Sequence, residues 1–228
     1  MASSNKEFGK YFVIEGNDGT GKSTQAELLG QYLQNQLGIE TFVTHEPGGV
    51  PIADALREII KNGELERDAD TNILMFTAAR HEIWKRARQS LQLGHYVISA
   101  RNYYSTIAYQ AIAERTGSFL QAMEKADEIV ALTRQYTDDL YMTPDGLVVL
   151  QMPTFTRRLN IGSRGRVDTP DTFESRGDEF QHRVDDGYDY VAEKFNAVRI
   201  DTVGRDNRQK TIEEVHIEIR KAFGFDAK

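Results

Sequence analysis

The 228-residue chain contains no cysteine, only five prolines and a single tryptophan. Without cysteine it forms no disulfide bonds or thiolate metal sites, and it has no cysteine nucleophile. No apolar run approaches the roughly 20 residues that a membrane-spanning helix needs. The first seven residues, MASSNKE, lack the apolar centre of a signal peptide. We therefore expect a cytoplasmic enzyme or binding protein that does not associate with membranes.

The chain also has few positive charges, with 28 lysines and arginines against 35 acidic residues, which gives a formal net charge of −7. A chain of this balance is not a general nucleic-acid binder, and any anion must be held by a local cluster of donors. Hydrophobic residues make up 39% of the chain, which is enough for a sizeable core. The length favours one domain over residues 1–228, with a flexible extension at 1–9.

Short β-rich runs alternate with longer helical stretches along the chain. This alternation predicts an α/β fold of three layers, in which helices flank a five-stranded, mainly parallel sheet. The predicted strands are 11–15, 40–44, 96–99, 147–150 and 198–200, and the predicted helices are 24–37, 52–61, 70–93, 104–116, 118–136, 172–195 and 211–223. The polar, basic segment at about 160–171 has two interpretations, a solvated surface loop or a mobile lid over an anion.

A phosphate-binding loop follows the first predicted strand. Residues 16–23, GNDGTGKS, match G-x-x-x-x-G-K-[ST] and lead directly into a predicted helix, which is the context that this motif requires. Backbone N–H groups and the helix N-terminus would hold phosphate oxygens, with Lys22 on the β- and γ-phosphates and the Ser23 hydroxyl on Mg²⁺. We predict that ATP contacts Gly16, Asn17, Asp18, Gly19, Thr20, Gly21, Lys22, Ser23 and Thr24.

Two absences narrow the class of P-loop protein. The chain has no Asn-Lys-x-Asp motif for guanine, and no strand of four apolar residues ends in the Asp that many P-loop ATPases use for Mg²⁺. Small P-loop kinases are therefore favoured over GTPases and motor ATPases.

Five further strings follow the loop in order: EPGG at 46–49, FTAAR at 76–80, VISARN at 97–102, STIAYQ at 105–110 and DTFE at 171–174. With the phosphate loop, they make the chain resemble the thymidylate kinase family over about residues 11–221. The resemblance implies transfer of the ATP γ-phosphate to dTMP, with Mg²⁺, by a homodimer. The alternatives are a kinase for another deoxynucleotide or a deoxynucleoside, and a nucleotide-binding protein that has lost turnover.

Phe76 and Arg80 are one helical turn apart and project from one face. An aromatic ring offers a stacking surface for a pyrimidine, and a guanidinium offers a donor fork for a base carbonyl. Periodicity alone favours a core Phe76 and a solvated Arg80. The family resemblance reverses this interpretation and makes both residues part of a base-binding pair.

The resemblance also assigns roles around the sugar and phosphate of the acceptor. Asp18, which is electrostatically awkward inside a phosphate loop, would accept a hydrogen bond from the 3′-hydroxyl; the alternative is a turn-stabilising side chain. Arg101, at the end of a strand, would clamp the acceptor phosphate. Tyr109 would pack under the sugar carbon that carries no hydroxyl. The other predicted acceptor contacts are Pro47, Arg57, Ser105, Thr106 and Gln110.

A catalytic arginine is expected in the lid, because the position that carries it in the phosphate loop of one family branch is Gly19 here. We predict that Arg164 or Arg166 acts with Lys22 and Arg101 on the transferring phosphoryl group. For Arg157 and Arg158, a catalytic and a solvated position are equally open.

The chain departs from the family pattern beside the phosphates. Ala100 replaces an acid that helps to hold Mg²⁺ in the family, and Asn102 and His45 are further departures. Either catalysis is weakened or, as the sequence favours, another acid such as Glu15 or Glu174 has taken over. The acids placed to hold metal-bound water are Glu15, Asp171 and Glu174. Of the dimer, the sequence says only that Ile83, Trp84 and Ala87 belong to an interface or to the core.

Overall fold

The computed structural model describes residues 7–162, 173 and 176–226. Its five strands form one parallel sheet in the order β2-β3-β1-β4-β5, which confirms the predicted architecture. Each strand lies within one or two residues of its predicted position. The strands are β1 Tyr11–Gly16, β2 Thr41–His45, β3 Tyr96–Ala100, β4 Gly146–Gln151 and β5 Val198–Asp201.

Helices cover both faces of the sheet. Nine α-helices lie in the described residues, and a seven-residue π-helix, Ile107–Ala113, directly follows α4. The α-helices are α1 Lys22–Leu37, α2 Pro51–Lys61, α3 Ala69–Gln92, α4 Tyr103–Thr106, α5 Phe119–Tyr136, α6 Asp139–Met142, α7 Thr154–Gly162, α8 Asp178–Lys194 and α9 Ile212–Ala222.

Three helical predictions need correction. The predicted helix 172–195 begins only at Asp178, preceded by Gly177 in an extended conformation. The predicted helix 104–116 divides into α4 and the π-helix, a wider geometry that periodicity does not reveal. Residues 160–162 of the predicted lid form the end of α7, while residues 163–171 lie outside the described residues.

The strand at the centre of the sheet, β1, is buried along its whole length. Successive side chains point to opposite faces. Val13 packs into a cluster with residues of α3, α5 and α8, whereas Ile14 packs into a second cluster with residues of α1 and α9. The three-layer arrangement therefore follows from a strand that is apolar on both faces.

The long helix α3 covers one face of this sheet. Asp68 caps its N-terminus by accepting from the backbone N–H of Thr71. Ile83, Trp84 and Ala87 are all buried within the chain, so the structure assigns them to the core. None of the described helices is long and apolar enough to cross a membrane.

Candidate active site

The phosphate loop joins β1 to α1 and depends on glycines in the left-handed region. Gly16, Gly19 and Gly21 have φ of 137°, 86° and 92°. A Cβ added at Gly19 would lie 2.7 Å from the carbonyl oxygen of Arg157, so α7 packs directly on the loop. No side chain caps the N-terminus of α1, which leaves its first N–H groups for an anion.

The loop is also held by its own side chains. Lys22 is buried, and its Nζ donates to the carbonyl oxygen of Asn17 at 2.8 Å, across the loop. The Thr20 hydroxyl donates to the same carbonyl at 2.8 Å. Ser23 and Thr24, at the start of α1, are exposed and line the adjoining cavity, where a phosphate and a metal ion could reach them.

A cavity of about 210 Å³ lies beside the loop, at the carboxyl ends of β1 and β3. This is the edge of a parallel sheet at which ligands of open α/β folds bind. The structure brings all of the predicted acceptor residues to this one cavity, which is lined by Asp18, Pro47, Arg57, Phe76, Arg80, Arg101, Ser105, Thr106, Tyr109 and Gln110.

Arg101 and Asp18 form an ion pair in the floor of the cavity. Arg101 is a non-glycine residue with a φ of 76°. Its Nη1 donates to the Ser105 hydroxyl at 2.9 Å and to the Tyr188 hydroxyl at 2.5 Å. Positive φ costs free energy for such a residue, and these contacts hold the guanidinium where β3 ends.

Asp18 is ionised in this arrangement. Burial by itself would raise its pKa, but the charges of Arg101 and Lys22 and the hydroxyl of Tyr109 outweigh burial and hold the pKa well below its usual range. The Tyr109 hydroxyl donates to Asp18 Oδ2 at 2.8 Å. Tyr109 lies on the π-helix, so this irregular segment supplies a group to the site.

Glu15 is fully buried behind the loop and caps α4. Its carboxylate accepts from the backbone N–H groups of Asn102 and Ser105, at 2.8 and 3.2 Å, and from the hydroxyls of Ser105 and Tyr188, at 2.7 and 3.2 Å. It is not among the residues that line the cavity. Its role as a ligand of metal-bound water stays a prediction, whereas its role as a cap was not foreseen.

Arg80 is 2% exposed, so the solvated position that periodicity alone favours is wrong. Its Nε donates to Glu46 Oε2 at 3.0 Å and its Nη2 to the Thr106 hydroxyl at 2.9 Å. Its Nη1 is buried and has no hydrogen-bond partner among the described residues. A base with a carbonyl oxygen would supply that partner.

Three aromatic rings, those of Phe76, Tyr109 and Phe173, also line the cavity. The ring of Phe76 lies 6.3 Å from that of Phe173, which in turn lies 5.7 Å from Tyr109 and nearly perpendicular to it. Sequence reasoning gave no role to Phe173 or to Glu46. Phe173 lies in the string DTFE and Glu46 in the string EPGG, both of which carry the family resemblance. Their place in these strings could have indicated that they belong to the site.

The predicted lid arginines separate into distinct environments. Arg157 is buried and Arg158 is exposed, and they pair with Asp185 and Asp178, respectively. The remaining predicted lid residues, Arg164, Arg166, Asp171 and Glu174, lie outside the described residues.

A phosphate loop at the end of a central parallel strand, beside a cavity lined by Arg57, Arg80 and Arg101, is typical of a P-loop kinase. The family model for thymidylate kinase matches residues 14–219. A thymidylate kinase of Rhizorhabdus wittichii is 32% identical over 217 residues, which cover 94% of this chain and 97% of the relative. One of Ruegeria pomeroyi is 35% identical over 201 residues, covering 87% and 89%.

A crystal structure of thymidylate kinase from Ehrlichia chaffeensis superposes with a TM-score of 0.69, at 25% identity, and covers 94% of this chain and 98% of that one. The chain belongs to the thymidylate kinase family. Members of this family are ATP-dependent phosphotransferases that convert dTMP to dTDP. The resemblance and the predicted activity are thereby confirmed.

Proposed function

We propose that the chain, as a single cytoplasmic domain, transfers the γ-phosphate of ATP to dTMP in the cavity beside the phosphate loop. The observation that carries the proposal is the joining of three parts in one cavity. These are the phosphate loop with Lys22, the Arg101–Asp18 pair, and the base wall of Phe76 and Arg80.

The donor side of the cavity suits ATP with Mg²⁺. Ser23 presents its hydroxyl beside Lys22, but no group of three acidic or histidine side chains that could hold a metal occurs in the described part of the chain. The metal would therefore be held by Ser23, the phosphate oxygens and water. When bound, Mg²⁺ neutralises charge that develops on the phosphates. Asp171 and Glu174 remain the proposed holders of metal-bound water, with Glu15.

The acceptor side suits a pyrimidine deoxynucleotide. Arg101, with Arg57, would hold the acceptor phosphate, and the ionised Asp18 would accept a hydrogen bond from the 3′-hydroxyl. Arg80 Nη1 and Gln110 Nε2 are buried donors that have no hydrogen-bond partner among the described residues. The carbonyl oxygens of thymine are acceptors of the kind that these donors require.

Transfer is direct in this arrangement. An oxygen of the acceptor phosphate attacks the γ-phosphorus in line, the bond from the γ-phosphorus to the bridging oxygen breaks, and ADP leaves with that oxygen. No covalent enzyme intermediate forms. Lys22 and one of the lid residues Arg164 and Arg166 would stabilise charge on the transferring group. If one arginine acts only on the transition state, its loss should lower kcat and leave the KM for dTMP unchanged.

An assay of ADP release tests the function directly, with dTMP, dUMP, dCMP, dAMP, dGMP and thymidine as acceptors. We expect the highest kcat/KM for dTMP, and a loss of turnover of at least about 10²–10³-fold in a Lys22→Ala variant that remains folded. Preference for thymidine or another nucleotide would establish one of the alternative kinases. ATP binding without turnover would establish a protein that binds nucleotides only.

We also propose that the chain forms a homodimer through the outer faces of α2 and α3. Ile52 and Ile59 are exposed, and they lie seven residues apart on one face of α2. Leu74 is exposed on α3, the helix that packs against α2. Exposed apolar side chains on two neighbouring helices are typical of a surface that a second copy covers.

A further inference from the structure

Arg80, which the proposed function places on the base, is held in direction by a buried carboxylate and by the Thr106 hydroxyl. Its Nε bonds Glu46 Oε2 at 3.0 Å, and the two side chains are 2% and 5% exposed. The guanidinium is planar, and its donors form a fixed fork. The positions of Glu46 and Thr106 therefore determine together where the unpartnered Nη1 points.

Glu46 is itself held at two places. Its backbone N–H donates to the carbonyl oxygen of Ala100 at 3.0 Å, which attaches its main chain to the end of β3. Its second carboxylate oxygen, Oε1, accepts from the Tyr141 hydroxyl at 2.6 Å. A buried carboxylate oxygen without a donor is costly, so this hydroxyl completes the hydrogen bonding of the charged group.

Tyr141 lies outside the cavity, on the four-residue helix α6, and is 1% exposed. Its ring is 5.0 Å from Trp84 and 5.8 Å from Tyr11. Tyr11 belongs to β1, and Trp84 lies one turn beyond Arg80 on α3. A tyrosine has few rotatable bonds, so this aromatic packing fixes the position of its hydroxyl.

We propose that Tyr141 is a positioning residue for base recognition, which acts through Glu46 to direct the free donor of Arg80 at the acceptor base. The inference rests on the proposed dTMP kinase function. Burial raises the pKa of Glu46, and Arg80 and Tyr141 oppose this rise. Arg80 and Tyr141 both favour the charged form of Glu46, and loss of the Tyr141 hydroxyl would remove one of these two groups.

The test compares Tyr141→Phe with Tyr104→Phe. Tyr104 is equally buried, but its hydroxyl donates to the backbone carbonyl of Met142 at 3.2 Å and touches neither Glu46 nor Arg80. For Tyr141→Phe we expect the KM for dTMP to rise about tenfold, with kcat and the KM for ATP within about twofold. Cytosine carries an amino group where thymine carries its 4-carbonyl oxygen, so a donor directed at that oxygen favours thymine. When that donor is misdirected, the kcat/KM ratio of dTMP to dCMP should fall. Tyr104→Phe should leave all of these values within about twofold.

A double-mutant cycle shows whether Tyr141 acts through Arg80. In an Arg80→Ala background, Tyr141→Phe should not raise the KM for dTMP further. Independent, multiplicative effects would overturn the inference, as would a fall in kcat at an unchanged dTMP-to-dCMP ratio. If Tyr141→Phe lowers the melting temperature too far for assay, Glu46→Gln replaces it, and the same rise in KM with unchanged kcat is required.

Failure of this inference is distinguishable from failure of the proposed function. A wild-type chain that does not phosphorylate dTMP would contradict the function. An active wild type in which Arg80→Ala raises the KM for dTMP but Tyr141→Phe does not would contradict the role of Tyr141 alone.

Discussion

Asp18 places a negative charge inside a loop that binds anions, and the structure explains how the loop tolerates it. Arg101 pairs with one carboxylate oxygen, and the Tyr109 hydroxyl donates to the other. The carboxylate thus neutralises the half-buried Arg101. We infer that Asp18 positions Arg101, in addition to its proposed contact with the sugar.

The depressed pKa of Asp18 gives a pH-dependent contribution to stability. Because this pKa is lower in the folded than in the unfolded chain, the contribution is complete above pH about 4 and is lost as pH falls toward the folded value. Thermal melts of wild type and Asp18→Asn should therefore differ most near pH 7, and the difference should shrink between pH 4 and 3. Asp139→Asn, at an exposed pair with Arg134, should differ little from wild type throughout. A gap between wild type and Asp18→Asn that does not change with pH would contradict this assignment.

Ala100 stands where the family resemblance implies an acid. The described carboxylates around the cavity already have partners. Asp18 pairs with Arg101, Glu46 with Arg80 and Tyr141, and Glu15 with the N-terminus of α4. Compensation by another acid therefore rests on the proposed roles of Asp171, Glu174 and Glu15, and Glu15 would have to share its hydrogen bonds with α4.

Because another acid is proposed to hold the metal-bound water, we expect Ala100→Asp to change the Mg²⁺ concentration for half-maximal activity little. A fall of about tenfold or more, within the roughly 10–100-fold that an outer carboxylate is worth in metal affinity or activity, would show that no other acid has taken over. A Mg²⁺ titration of both proteins at saturating ATP and dTMP measures the shift. Ala100→Ser is the control for side-chain volume and should titrate like wild type. Identical curves for Ala100→Asp and wild type would show that another acid already supplies the function.

Among the elements, α7 packs against the phosphate loop at Gly19 and is joined to it by hydrogen bonds. The guanidinium of Arg157 donates to the carbonyl oxygen of Met152 at 3.1 Å and to Asp185 at 2.8 Å. The other oxygen of Asp185 accepts from the side chain of Asn17 in the loop at 2.8 Å. Asn160, near the end of α7, donates to the carbonyl oxygen of Gly19 at 3.0 Å. The loop is therefore bonded to both α7 and α8.

Replacement of Arg157 should weaken the hydrogen bonding between the phosphate loop, α7 and α8. Arg157→Ala removes the ion pair of Asp185 and the donors to Met152, Thr154 and Gln181. We expect a loss of about 2–3 kcal/mol in the free energy of unfolding, with a higher KM for ATP. Arg158→Ala is a matched control, since its ion pair with Asp178 is exposed and should be worth under about 1 kcal/mol. Urea denaturation and ATP kinetics measure both effects. Equal losses for the two variants would show that burial of Arg157 has no special role.

For the whole molecule, one parallel sheet brings groups that are distant in the chain to the same edge. The site lies where β1 and β3 end, and residues of α3, α4 and the π-helix complete it. The outer surfaces of α2 and α3 then remain free to pair with a second copy. In the proposed dimer, assembly would use the faces of these helices that point away from the site.

If the proposed dimer forms, the molar mass of the wild type from sedimentation should be twice the 25.9 kDa mass of one chain. Ile59→Asp and Leu74→Asp place charges in the proposed interface, and we expect each to shift the protein toward the monomer, because an unpaired buried charge is costly. Phe155→Asp, at an exposed position on α7, should leave the dimer intact. Sedimentation velocity over a range of concentrations makes the comparison. If both variants remain dimeric, the interface is not formed by these faces of α2 and α3.

The sequence by itself determined the features that are encoded locally. The phosphate loop was identified because its glycines, Lys22 and Ser23 are consecutive and lie between a strand and a helix. The five strands and most of the long helices were predicted because apolar periodicity reports which face is buried. The acceptor residues were predicted because their short strings resemble a family.

The tertiary structure alone decided which side chains meet. Arg157 and Arg158 are neighbours in the sequence, yet one is buried against Asp185 and the other lies at the surface. Glu15 caps a helix that begins some 88 residues later, and Tyr141 reaches a carboxylate 95 residues away. Backbone preference and periodicity act over a few residues, whereas a hydrogen bond between distant side chains exists only after packing has brought their segments within about 3 Å.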